Sequence, residues 1–268
     1  MAVKCKDIIR KMNEFADERL AEDWDNVGLL VGDLEQEIKT VLVALDAVPQ
    51  VICEAIELKA DLIITHHPLI FRAIKSVTKG NPLGDSIYQL IQNNIGLYCA
   101  HTNLDIAYGG TNDSLAQILE LENISLLEEI SEEEGKKYGM GRIGTLKKPL
   151  KLKDYALFVK EQLNLSDIRI AGDMDKIINK VAITTGSGMS YLKSAIMKKA
   201  DLFITGDIKF HDAQEAQKYG ICLLDAGHYG TEVIIVKVIK DYLERIQEEN
   251  FQFKVLLSKV NGEPFITL

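Results

Sequence analysis

Lys59-Ala60-Asp61-Leu62-Ile63-Ile64-Thr65-His66-His67-Pro68-Leu69-Ile70-Phe71 runs from a short apolar segment straight into two adjacent histidines and a proline. Leu62, Ile63 and Ile64 read as a strand buried on both faces, and Pro68 holds His67 extended. Two imidazoles therefore leave one rigid element together. Because successive strand side chains point to opposite faces, a ligand role for both suits two metal ions better than one. The alternative is a pair of hydrogen-bonded histidines near a turn.

Part of this stretch recurs. KADLIIT at 59–65 returns as KADLFIT at 199–205, differing only at Ile63 against Phe203, and the same offset of 140 residues aligns Val41 with Val181 and Ala55-Ile56 with Ala195-Ile196. A strand at 41–45 and a helix at 49–58, with Pro49 early where it is tolerated, complete a βαβ unit around the first copy. The unit appears twice, and in the second copy Gly206-Asp207 stands where the first has His66-His67. The fold expected is α/β, with duplicated α/β halves built on βαβ units and mixed sheets. The halves are expected at residues 1–125 and 126–268, with a dinuclear metal site between them.

The five histidines are His66, His67, His101, His211 and His228, and each follows an apolar, strand-like run or the turn just after it. His101 and Asp105 lie just past the run 95–100, ahead of a glycine-rich turn at Gly109-Gly110 and a helix at 114–121, a usual place for an α/β site; either is also suited to capping or a turn. His228 and Glu232 are four apart at the start of an apolar helix through 233–243, where one helical face points both at the same ion. Three imidazoles and two carboxylates over-supply one ion, whereas two ions about 3.5 to 4 Å apart use His66, His67, Asp105, His228 and Glu232 together. Nitrogen and oxygen ligands without thiolate suit two divalent ions from Zn, Fe, Mn or Ni. His101 and His211 are then candidates for moving a proton beside the centre, His211 following the second strand copy much as His67 follows the first; direct ligation is the alternative for His101 and a structural role that for His211.

Elsewhere, residues 7–20 carry helical spacing, 24–32 read as a turn before a strand, and 76–84 read as a loop before a helix at 85–93. Residues 128–137 are highly charged and expected to be exposed. Gly139, Gly141 and Gly144 allow a backbone to approach something closely, and Arg142 among them is a candidate to hold a substrate phosphate or carboxylate; a hairpin turn is the plainer reading. A formal charge of −9 argues against broad nucleic-acid binding. No apolar run reaches the roughly 18 residues of a membrane span, and the N-terminal residues lack a signal-peptide pattern, so a cytoplasmic chain is expected. Cys5, Cys53, Cys99 and Cys222 are too sparse for a disulfide framework.

Taken as a set, Trp24-Asp25-Asn26-Val27-Gly28-Leu29, Thr65-His66-His67-Pro68, His101-Thr102-Asn103-Leu104-Asp105, Gly139-Met140-Gly141-Arg142, Thr205-Gly206-Asp207 with His211-Asp212-Ala213, and Gly227-His228-Tyr229-Gly230-Thr231-Glu232 resemble one known family across essentially the whole chain. These are the GTP cyclohydrolase 1 type 2 homologues, or Ngg-one-interacting-factor-three-like proteins. The resemblance implies a duplicated α/β fold with a dinuclear centre on His66, His67, Asp105, His228 and Glu232. It also implies a ring-shaped homohexamer and a small-molecule, nucleotide substrate. The reaction it implies is opening of the guanine imidazole ring of GTP with release of formate. The competing classes are a metal-dependent hydrolase of another substrate, such as a phosphoester, and a non-catalytic metal-binding or interaction protein. No P-loop is present.

Overall fold

The computed structural model describes residues 2–247 and 252–267. The chain forms two compact units, one of residues 1–107 with 235–262 and one of residues 108–234 with 263–268. In chain order the first unit runs α1 (Cys5–Phe15), β1 (Gly28–Val31), β2 (Thr40–Ala44), α2 (Pro49–Glu57), β3 (Leu62–Thr65), α3 (Pro82–Gln92), β4 (Gly96–Cys99) and α4 (Thr102–Ile106). The second runs α5 (Thr111–Ile118), β5 (Glu122–Glu133), β6 (Lys136–Lys151), α6 (Leu152–Gln162), β7 (Arg169–Ala171), β8 (Ile177–Ile183), α7 (Leu192–Met197), β9 (Leu202–Thr205), α8 (Phe210–Lys218), β10 (Cys222–Asp225) and α9 (His228–Glu232). Then α10 (Ile234–Gln247) and β11 (Lys254–Leu257) return the chain to the first unit.

That return differs from the expected division at 125/126. Its physical cause is β11, which adds to the first sheet as a parallel partner of β2. Four residues, Lys254-Val255-Leu256-Leu257, carry too little periodicity to announce a strand that pairs some 210 positions back.

Each unit holds one mixed sheet, ordered β1-β4-β3-β2-β11 in the first and β5-β6-β8-β9-β10-β7 in the second. Strands β2, β3 and β4 are parallel, as are β8, β9 and β10, and an antiparallel edge strand closes each set, β1 on β4 and β7 on β10. The duplication extends to individual hydrogen bonds. Val41 pairs with Leu62 and Val181 with Leu202. Asp61 Oδ2 accepts from Lys39 N and Thr40 N, each at 2.8 Å, and Asp201 Oδ2 accepts from Asn179 N and Lys180 N, each at 2.9 Å. Lys59 and Lys199 both turn through positive φ, 54° and 57°. The KAD of the repeat is thus a structural device: a left-handed lysine ends the helix, a buried alanine follows, and an aspartate clasps the start of the neighbouring strand.

Leu62, Ile63 and Ile64 are fully buried, as are Leu202, Phe203 and Ile204. Alternation sends them to opposite faces. In the second unit Leu202 and Ile204 join one core cluster while Phe203 joins another.

Local differences from the expectations have local causes. The first helix stops at Phe15 and a separate 3-10 turn covers Glu18–Leu20, capped by Asp17. The helix expected at 85 starts at Pro82, because Asn81 Oδ1 accepts from Leu83 N and Gly84 N and so caps it. The charged segment 128–137 lies in the long β5–β6 hairpin, and Gly139 and Gly141 sit within β6. What their backbone approaches is the sheet itself: a Cβ on Gly139 would lie 1.9 Å from Glu128 O, and one on Gly141 2.8 Å from Ile183 O. No described helix is long and apolar enough to cross a membrane.

Candidate metal centre

The histidines and carboxylates expected to bind metal, His66, His67, Asp105, His228 and Glu232, lie just past the carboxyl ends of parallel strands, where α/β folds place their sites. In the first unit β3 ends at Thr65, and the next two amides, His66 N and His67 N, both bond to Leu45 O, at 3.1 and 2.9 Å. That shared acceptor ends the pleat. The two rings do not diverge as strand neighbours would; their centroids lie 5.1 Å apart, and that of His101 lies 5.2 and 5.5 Å from them. One ring nitrogen from each of the three histidines falls within 4.8 Å of the others. Asp105, on α4, brings Oδ1 to 3.6 Å from His66 Nε2.

The rings are held alike. His66, wholly buried, donates from Nδ1 to Ala100 O at 2.9 Å. A carbonyl only accepts, so the ring proton sits on Nδ1 and the Nε2 lone pair faces the cluster. His67 Nδ1 meets Asp46 Oδ1 at 2.7 Å, and His101 Nδ1 meets Asp25 Oδ1 at 2.8 Å. Asp25 is itself fixed by Thr102, whose amide and hydroxyl donate to Oδ2 at 3.0 and 2.6 Å. Burial pushes the Asp25 carboxyl up, but the hydrogen bonds from His101 and Thr102 outweigh it and hold the group well below the usual carboxylate range.

In the second unit β10 delivers the chain through Gly227, φ 76°, into α9. His228 Nδ1 meets Asp207 Oδ2 at 2.8 Å, and its Nε2 lies 3.0 Å from Oε2 of the buried Glu232. His228 Nε2 and Glu232 Oε2 thus lie together as one nitrogen and one oxygen donor. Gly186 makes room for this pair: with φ +58°, a Cβ on it would lie 2.1 Å from Glu232 Oε1 and 3.2 Å from His228 Nε2.

This donor set fits a divalent metal. Imidazoles that bind metal characteristically donate their other N–H to a carboxylate or carbonyl, and four of the five histidines do so. The carboxylates Asp105 and Glu232 supply charge. Thiolate takes no part: Cys99 donates to His66 O at 3.0 Å, and burial pushes its thiol up.

The remaining expected site residues lie elsewhere. Arg142 is buried and is spent on the protein: Nε and Nη2 grip Asp113, and Nη1 donates to Gly139 O and Gly141 O at 3.0 and 2.9 Å. Its guanidinium fastens β6 to α5, a structural role in place of the expected substrate contact. His211 lies on the exposed face of α8, with Nδ1 3.2 Å from Gln214 Oε1 and its ring against Phe210. Residues missed in the sequence are Asp25, Asp46, Asp207 and Gly186. The repeat offset was the available signal, since it sets Asp46 against Gly186 and His67 against Asp207.

Comparison with known proteins agrees with this architecture. The chain is 37% identical over 266 residues to a protein of Clostridium acetobutylicum named GTP cyclohydrolase 1 type 2 homolog, covering 99% of each chain. It is 38% identical over 264 residues to one of the same name from Clostridium perfringens, covering 98% of this chain and 99% of the relative. Its fold matches the crystal structure of a Bacillus cereus protein related to NIF3 with a TM-score of 0.94, at 25% identity and full coverage of both chains. Residues 3–264 match the family model Duf34/NIF3 (NGG1p interacting factor 3), and the chain belongs to that family.

Proposed function

We propose that the protein is a metal-dependent hydrolase that binds two divalent ions per chain through His66, His67, Asp105, His228 and Glu232, and that its substrate is a nucleotide, with opening of the GTP imidazole ring and formate release as the reaction. The observation that carries this reading is the uniform support of the imidazoles, each with Nδ1 committed to a protein acceptor, so that Nε2 is the ring atom that faces the neighbouring candidate ligands. Neither His66-His67-Asp105 nor His228-Glu232 is a full coordination shell by itself, and five protein ligands for two ions leave open positions, as catalytic sites do.

When bound, divalent ions acidify coordinated water and stabilise developing negative charge. The chain's own residues do the rest. Asp46 and Asp207 fix the rings of His67 and His228, Ala100 O fixes that of His66, and the His101–Asp25 pair holds or moves a proton at His101 Nε2. The names of the two clostridial relatives support the cyclohydrolase form of the reading. The homohexamer belongs to the same proposal and rests on the resemblance.

The test is metal analysis of chelated and reloaded protein, followed by product identification. Two ions per wild-type chain and fewer in His67→Ala and in His228→Ala are expected; two ions retained in either variant would overturn the ligand set. Formate and a ring-opened nucleotide from GTP are the expected products. Phosphate release from GTP or a simple phosphoester would move the reading to phosphoester hydrolysis. A metallated protein that turns over neither would make it a metal-stabilised scaffold or partner-binding protein. Six chains per particle by sedimentation completes the check.

A further inference from the structure

Beside the three histidines of the first unit lies a pair of large aromatic rings that the fold leaves uncovered. Trp24 is 58% exposed and Phe71 48% exposed. Their centroids lie 5.9 Å apart with the planes tilted at 59°, and Trp24 lies 6.1 Å from the His101 ring, edge to face at 78°. Neither contact is a parallel stack that would cover a ring face.

These rings do not sit on slack chain. Trp24 is followed by Asp25, which fixes His101 and Thr102, and by Asn26, whose Nδ2 donates to Ile70 O, the carbonyl immediately before Phe71. One tripeptide therefore anchors the imidazole, pins the loop that follows the His-His pair, and presents an indole. Exposing two such rings forfeits apolar burial, and here both are held in place next to the candidate chemistry.

We infer that Trp24 and Phe71 form the platform on which the purine base of the substrate lies, with the base edge directed at the His66-His67-His101 cluster. The inference rests on the hydrolase reading above for the nature of the substrate. Two further observations favour a base over a phosphate as the recognised part. Arg142, the cation expected to hold an anion, is consumed by Asp113, and the sequence has no P-loop. Aromatic side chains bind bases through their faces, and such stacking tolerates any substituent at the far end of the nucleotide.

The chain carries a single tryptophan, so its fluorescence reports on this position alone. Metal-loaded protein is titrated with guanosine, GTP and inorganic triphosphate, following Trp24 emission in the wild type and in Phe71→Ala. Equilibrium dialysis measures the same ligands on Trp24→Ala, and metal content confirms that each variant retains its centre. Saturable quenching by guanosine and GTP but not by triphosphate is expected, with affinity for guanosine falling about tenfold or more in each variant. Unchanged guanosine binding by Trp24→Ala, triphosphate binding as tightly as GTP, or emission that changes with protein concentration because a second copy covers the rings, would each overturn the platform. Turnover of GTP without quenching removes the platform and keeps the hydrolase; quenching without turnover keeps the platform and removes the hydrolase.

Discussion

The two repeats share a backbone frame down to the aspartate that clasps the neighbouring strand, yet their strand ends carry different chemistry. After β4 and β10 the pattern is preserved: His101 and Asp105 are four apart, and so are His228 and Glu232. After β3 and β9 it is exchanged. His66 and His67 in the first copy correspond to Gly206 and Asp207 in the second, and Asp46 corresponds to Gly186. In the first copy an aspartate after β2 supports a histidine after β3. In the second, the aspartate after β9 supports the histidine after β10, and the position after β8 is emptied so that Glu232 can fill it. Duplication thus supplied two scaffolds of the same shape, and moving one carboxylate changed which ring each scaffold presents.

The largest effect should come from the part of the second unit with no counterpart in the first, the β5–β6 hairpin. Arg142 is 1% exposed and ion-paired to Asp113. Asp113→Ala strands a buried guanidinium, and a loss of about 3 kcal/mol in denaturant unfolding is expected. If Asp113→Ala unfolds within about 0.5 kcal/mol of wild type, the hairpin is held by its ladder alone.

Next comes the exchange at the strand ends. Gly186→Ala places a Cβ where Glu232 Oε1 lies and asks a non-glycine residue to hold φ +58°. Metal affinity should fall roughly 10- to 100-fold, with about 1–2 kcal/mol of backbone strain added. Asp207→Asn should weaken metal binding less than Asp46→Asn, because the Asp207 side chain is 48% exposed and that of Asp46, which supports His67, is 30% exposed. Competition with a chromophoric chelator measures all three. Equal losses at Asp46 and Asp207 would mean that burial does not set the strength of ring support.

Much of this frame was legible in the sequence because it rests on local pattern. Leu62-Ile63-Ile64 is apolar on both faces, the repeat marks its second occurrence, and histidines after apolar runs mark strand ends. What was not legible depends on long-range pairing. Asp25 reads as one more acid in a turn until the fold carries it 76 positions along the chain to His101. Arg142 reads as an anion site because its glycines suggest openness, but those glycines serve close strand approach and the guanidinium is sealed by a partner 29 positions earlier. The Gly206-Asp207 pair reads in sequence as a loss of ligands, and the support that Asp207 gives His228 is visible only once His228 is placed against it.

The frame itself makes a comparison that should come out equal. Asp61 and Asp201 each accept two backbone amides at 2.8 to 2.9 Å. Replacing either with alanine removes a charged acceptor from two amides at the start of a strand, costing about 1–3 kcal/mol. The two losses should agree to within about 0.5 kcal/mol when measured by denaturation. A difference of several-fold would show that the repeat is a likeness of sequence without a likeness of energetic role.

The smallest effect should be a gain. Lys59 and Lys199 hold φ 54° and 57°, a conformation in which Cβ crowds the backbone of any residue but glycine. Both lysines are exposed and their amides already close the preceding helix, Lys59 N on Ile56 O at 3.1 Å and Lys199 N on Ile196 O at 2.9 Å, so a glycine there keeps every backbone bond. Relief of the left-handed strain favours the glycine by about 1–2 kcal/mol, and the greater freedom of glycine in the unfolded chain returns roughly 0.5–1 kcal/mol of that. Lys59→Gly and Lys199→Gly should therefore each stabilise the protein by about 0.5–1 kcal/mol, read as a higher denaturation midpoint with unchanged metal content. A loss at one site and a gain at the other would place a contact of that lysine's side chain above its backbone strain, and would break the equivalence of the two copies at the residue that opens the KAD repeat.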